Sequence, residues 1–85
     1  MKRVLNHLAF RQLVRDHLDV VLPEELTGQE RLRDELQLDS MRLLQLLVHL
    51  ELELDLILAD EKLGQLPQMT VDQFLQSLQK KEVLR

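Results

Sequence analysis

Few side chains in this 85-residue sequence could do chemistry, and Ser40 has the most suggestive surroundings. It stands in the run Leu38-Asp39-Ser40-Met41, at the start of a leucine-rich stretch that reaches Leu54. An aspartate followed by a serine is a helix-start signal: Asp39 is predicted to cap the helix, and Ser40 to sit one residue inside it with its hydroxyl in the open. A nucleophilic serine needs a base within hydrogen-bond reach, but His49, nine residues on, lies ~13 Å away along a helix axis. His7 and His17 cannot be placed without a fold, and the Gly-x-Ser-x-Gly elbow is missing. Ser40 therefore reads as an attachment point, and the chain as a protein without catalytic residues. His49 and Glu53 form an i, i+4 pair that could hold a metal, but this spacing more often builds a solvated polar band, so no metal site is predicted. Glu51, Glu53 and Asp55 point in different directions around a helix, and no calcium-loop pattern is present.

Composition narrows the possibilities further. There is no cysteine, which excludes a disulfide framework, a CxxC redox site and a thiolate zinc site. The net charge is −4, but thirteen acids lie between Asp16 and Glu61 against only Arg31, Arg33 and Arg42, while both ends are basic. Such a middle repels phosphate backbones and anionic lipid headgroups and attracts basic protein surfaces. With Phe10 and Phe74 as the only aromatics for base stacking, nucleic acid is not an expected partner. Residues 1 to 22 carry Asn6, His7, Arg11, Gln12, Arg15 and Asp16, which interrupt the apolar core a signal peptide needs. The leucine-rich region 43–58 is broken by Gln45, His49, Glu51, Glu53 and Asp55, so it cannot span a bilayer. A soluble, cytoplasmic, monomeric protein is expected.

The elements that must position Ser40 can be read from periodicity and punctuation. A first helix over residues 3 to 19 carries Phe10, Leu13, Val14 and Leu18 at helical spacing and ends before Pro23. From Pro23 to Leu38 a long loop is predicted, with a turn at Thr27-Gly28 and with Leu26, Leu32, Leu36 and Leu38 pinning it to the core. The last helix has the clearest start: Thr70 as cap, Gln73 completing a capping box, Met69 and Phe74 as a hydrophobic staple, then Val71, Phe74, Leu75 and Leu78 as the core stripe. Between the last two, residues 60 to 63 permit one short helical turn before Gly64 and Pro67. The predicted fold is all-α: a small four-helix bundle of three longer helices and one short helix, with a long loop between the first and second.

At 100° per residue the central helix separates into two apolar stripes. Leu43, Leu46, Leu47, Leu50 and Leu54 form the expected core face. Met41, Leu44, Val48 and Leu52 form the other, with Arg42, Gln45, His49 and Glu53 as a polar band between the two. The second stripe needs another element or a partner protein to cover it, and contiguous exposed apolar patches tend to mark interaction sites.

These residues resemble a known family. From Leu36 through Leu78 the chain is similar to the acyl and peptidyl carrier proteins, small helical domains that bear a 4′-phosphopantetheine arm. The resemblance centres on Leu38-Asp39-Ser40-Met41 with Leu44-Gln45-Leu46-Leu47-Val48 and Leu50-Glu51. Glu53-Leu54-Asp55-Leu56 resembles the acidic end of the family's second helix, and Met69-Thr70-Val71-Asp72-Gln73-Phe74 the start of its last. The resemblance implies a single carrier domain over residues 1–85, with Ser40 taking 4′-phosphopantetheine from coenzyme A. The arm's thiol would then hold an acyl or aminoacyl group as a thioester. It implies as partners a phosphopantetheinyl transferase, a loading ligase, and downstream transferases or synthases, with Asp39, Met41, Arg42, Val48 and Leu52 as recognition residues. Gln37 stands where the family often has glycine, and Arg42, Gln45 and His49 replace acids typical of fatty-acid carriers. That pattern points to a specialised pathway such as siderophore, polyketide or nonribosomal peptide assembly. The alternative is an unmodified helical adaptor or homodimerisation module that uses the Met41/Val48/Leu52 face.

Overall fold

The computed structural model describes residues 5–81. The first helix, α1, spans His7–His17, and the Asn6 side chain accepts the Ala9 N–H at 2.8 Å as its cap. The predicted start at residue 3 falls outside the described residues; the observed start is set by Asn6. Phe10, Leu13 and Val14 are buried on one face. The helix gives out at Leu18, and Asp19 adopts the left-handed conformation (φ 54°), which aspartate tolerates better than most residues.

The segment from Pro23 to Leu38 is long but tightly held. Leu32, Leu36 and Leu38 are buried and Leu26 is half-buried, as their spacing predicted. Backbone pairing that no side-chain pattern revealed adds to this: Val71 N–H donates to Glu30 C=O, Leu32 N–H to Met69 C=O and Asp72 N–H to Gly28 C=O, each at 2.9 Å. The turn itself is organised by the Glu30 carboxylate, which accepts the Thr27 N–H at 2.9 Å, the Thr27 hydroxyl at 3.1 Å and the Gly28 N–H at 3.0 Å. Partial burial pushes the Glu30 carboxyl upward, but these hydrogen bonds outweigh it and hold the group below its ordinary range.

The second helix, α2, spans Ser40–Leu54 and ends where Asp55 turns left-handed (φ 56°). Leu43, Leu46 and Leu50 face the core. Leu47, predicted to join them, is only half-buried, and Leu54 is 37% exposed because the helix ends there and the chain turns away.

An all-α bundle is not what forms. After Asp55 the chain extends as strand β1, Leu56–Leu58, and pairs antiparallel with strand β2, Leu78–Lys80, in the register Leu56↔Lys80, Ile57↔Gln79, Leu58↔Leu78. The pleat sends Leu56 and Leu58 into the core and leaves Ile57 half-buried. The unpaired N–H and C=O groups of such a strand require a partner, and the last helix shortens to provide one. That helix, α3, covers only Val71–Ser77. Leu78, predicted as the fourth residue of its core stripe, is buried from β2 instead. The Thr70–Gln73 capping box forms as expected, and Met69 and Phe74 are both buried. Between β1 and α3 a 3₁₀ helix runs Asp60–Gln68, longer than the single turn predicted; the fixed φ of Pro67 suits 3₁₀ geometry, so it does not end the segment.

Lysines close the structure over the C-terminal end of α2. Lys81 N–H donates to Asp55 C=O at 2.7 Å, and its ammonium lies 2.7 Å from the Glu51 carboxylate, a hydrogen bond that raises the Lys81 pKa. Lys80 reaches Leu54 C=O at 3.5 Å.

The two glycines should respond oppositely to a methyl group. Gly28 has φ 96°, and a Cβ there would run into the Asp72 carboxylate, whereas Gly64 faces open space. In urea melts Gly28→Ala should destabilise by more than about 1 kcal/mol, while Gly64→Ala should be neutral or stabilising by about 0.4–1 kcal/mol. Equal effects would contradict the tight turn described around Glu30.

Candidate functional site

Ser40 is the first residue of α2 and is exposed. Its position follows from two anchors. Leu38 is fully buried, with its N–H bonded to Leu32 C=O at 3.0 Å, and Leu43 is buried three residues after the serine. With both ends of the segment held down, the four residues between them stand on the outside. Asp39 caps the helix: one carboxylate oxygen accepts the Arg42 N–H at 2.9 Å, and the other lies 3.3 Å from the Arg42 guanidinium. Among the described residues the Ser40 hydroxyl makes no hydrogen bond. Ser40 lies in the first turn of α2, so an anion bonded to its oxygen would sit near the positive end of the helix dipole.

The histidines lie elsewhere. His7 bonds Asp72 at 2.8 Å, joining the first turns of α1 and α3. His17 and His49 both meet Glu53, and their rings stack with centroids 4.1 Å apart. The polar band of α2, expected to face solvent, thus meets the end of α1. Open grooves flank Ser40 on this side: one of about 320 Å³ is lined by His17, Leu18, Asp19, Asp39, Met41, Arg42 and Gln45. Arg42 also lines the neighbouring one, which runs along Val20 to Pro23 and Leu36.

The recognition residues named from the sequence fall into two groups. Asp39, Met41 and Arg42 cluster around Ser40 at the start of α2. Val48 and Leu52 lie two and three turns further along on the Met41 face, about 16 Å from end to end. Met41 is 70% exposed, Leu44 63%, Val48 47% and Leu52 76%, so among the described residues no element covers the second stripe. Sequence reasoning left His17 unplaced, since only the crossing of α1 over α2 brings it to Glu53.

No family model, curated protein or solved structure matches this chain. Among the described residues no helix is long and apolar enough to cross a membrane.

Gln37 has φ 60°, left-handed backbone of the kind glycine adopts without strain. This is the position at which the resemblance calls for glycine. Gln37→Gly should therefore raise stability by about 1 kcal/mol, and the β-branched Gln37→Val should lower it. Urea unfolding midpoints at constant slope measure this; a destabilised Gln37→Gly would contradict it.

Proposed function

We propose that this chain is an acyl or aminoacyl carrier that bears a 4′-phosphopantetheine arm on Ser40 and serves a specialised biosynthetic pathway among cytoplasmic enzymes. The observation that carries this reading is the Ser40 hydroxyl itself: exposed, unbonded, and one residue inside a long helix capped by Asp39. Its immediate surroundings suit a phosphodiester, whose charge the α2 amides and Arg42 would receive. In the attachment step the Ser40 oxygen bonds to the phosphorus of coenzyme A that bears the pantetheine. Adenosine 3′,5′-bisphosphate leaves, and the hydroxyl proton passes to a base of the transferase. The arm supplies a terminal thiol that holds its cargo as a thioester. The protein's own contribution is positional: Leu38 and Leu43 fix the start of α2, and the open grooves on either side of Arg42 leave room for a partner to approach.

The exposed Met41/Leu44/Val48/Leu52 stripe begins beside Ser40 and suits docking by a transferase or loading ligase. Arg42, Gln45 and His49 give this helix a mixed polar band, which supports dedicated partners over those of housekeeping fatty-acid synthesis.

Incubation with coenzyme A and a broad-specificity phosphopantetheinyl transferase should add one phosphopantetheine per chain by intact mass, and none to Ser40→Ala. Val48→Glu and Leu52→Glu should keep stability within ~0.5 kcal/mol, as at ordinary surface sites, yet slow the transfer. Leu50→Glu should unfold the domain by burying an unpaired carboxylate. An unchanged mass across a panel of transferases would remove the carrier reading and leave the exposed stripe as the surface of an unmodified adaptor.

A further inference from the structure

His17 Nε2 lies 2.7 Å from Glu53 Oε2, and His49 Nδ1 lies 3.3 Å from the same oxygen. The three ligating atoms fall within 4.8 Å of one another, although they come from the last turn of α1 and the later turns of α2. We propose that His17, His49 and Glu53 bind a divalent transition-metal ion of the zinc class, which clips the end of α1 to α2. This inference is independent of whether Ser40 is modified.

The donor set selects the metal. Two imidazoles and one carboxylate suit zinc, which takes three protein ligands and a water, and they suit magnesium and calcium poorly, since those prefer all-oxygen shells. Two of the three distances are near what is needed, and the third is at most 4.8 Å. Ligands about 2.0–2.2 Å from a tetrahedral zinc stand about 3.3 Å from each other, so the edge between His49 and Glu53 already has the required length. The 2.7 Å contact of His17 with Glu53 is an ion-pair contact, which a bound metal would open to about the same 3.3 Å. Without metal, the two rings stack nearly parallel, 19° apart. Binding turns one ring about its χ2 torsion so that the lone pairs converge. This torsion is soft in histidine, and both side chains are about 30% exposed, so room exists for the turn and for the ion to arrive from solvent.

The clip closes a loop from residue 17 to residue 49 that contains the whole connection leading to Ser40. His17 also lines the groove beside Asp39, Met41 and Arg42, so a bound metal would fix one wall of that groove. Because the ion binds the folded arrangement, it should raise the melting midpoint with the logarithm of its concentration once that exceeds the dissociation constant.

The test uses the full-length Ser40→Ala chain, so that no arm thiol can act as a ligand, stripped of metal and titrated calorimetrically near neutral pH with zinc chloride and, separately, magnesium chloride. One zinc and no magnesium should bind per chain. His17→Ala, His49→Ala and Glu53→Gln should each weaken zinc by about tenfold or more, while His7→Gln should bind as tightly as the parent. Should a variant fold poorly, ¹⁵N resonances of the histidine rings in the parent chain decide instead: zinc should shift His17 Nε2 and His49 Nδ1 and leave His7 unmoved. Absence of zinc binding, binding by all three variants as tight as the parent's, or shifts on His7 alone would overturn the proposal.

Discussion

Phe10 and Phe74 meet edge to face, with ring centroids 6.1 Å apart and planes at 63°, and both are fully buried. They are the only aromatics in the chain, and this contact joins α1 near the start of the sequence to α3 near its end. In so short a chain, without disulfides, the core must be assembled by packing alone. Leucines fill it: Leu43, Leu46 and Leu50 from α2, Leu32, Leu36 and Leu38 from the connecting segment, and Leu56, Leu58 and Leu78 from the two strands. Because α2 buries only one face in this arrangement, its opposite face is left outward. The exposed stripe and the exposed Ser40 are both consequences of that one-sided burial.

Electrostatics follow the same helix. Asp39 places a carboxylate at the amide end of α2, and Lys80 and Lys81 place ammonium groups at its carbonyl end. Both complement the helix dipole. The acidic middle and basic end of the sequence, which looked like separate features in one dimension, are here partly in contact.

The sequence made some of this legible and hid the rest for identifiable reasons. The start of α2 and the Thr70–Gln73 capping box were readable because their signals are local, a cap and a stripe within a few residues. The sheet was not. Leu56-Ile57-Leu58 is three apolar residues long, too short for periodicity to separate strand from helix, and its partner lies more than twenty residues on. The same missing pairing made α3 look longer than it is. Leu38 and its neighbours were identified as anchors from hydrophobicity, whereas the backbone bonds to Met69, Val71 and Asp72 depend on a juxtaposition no local pattern encodes. At the site, the exposure of Ser40, Met41, Val48 and Leu52 could be anticipated from helical spacing. The meeting of His17 with His49 and Glu53 could not, since their relation exists only once α1 crosses α2.

Whether Ser40 bears the proposed arm is decided by the mass of the intact protein purified from its own source, without added enzyme or coenzyme A. A population heavier than the sequence by one phosphopantetheine, alone or with an acyl or aminoacyl group, is expected, with a fragment spectrum that places the addition on Ser40. A protein found at its unmodified mass in cells with active phosphopantetheinylation, or modified at another residue, would contradict it.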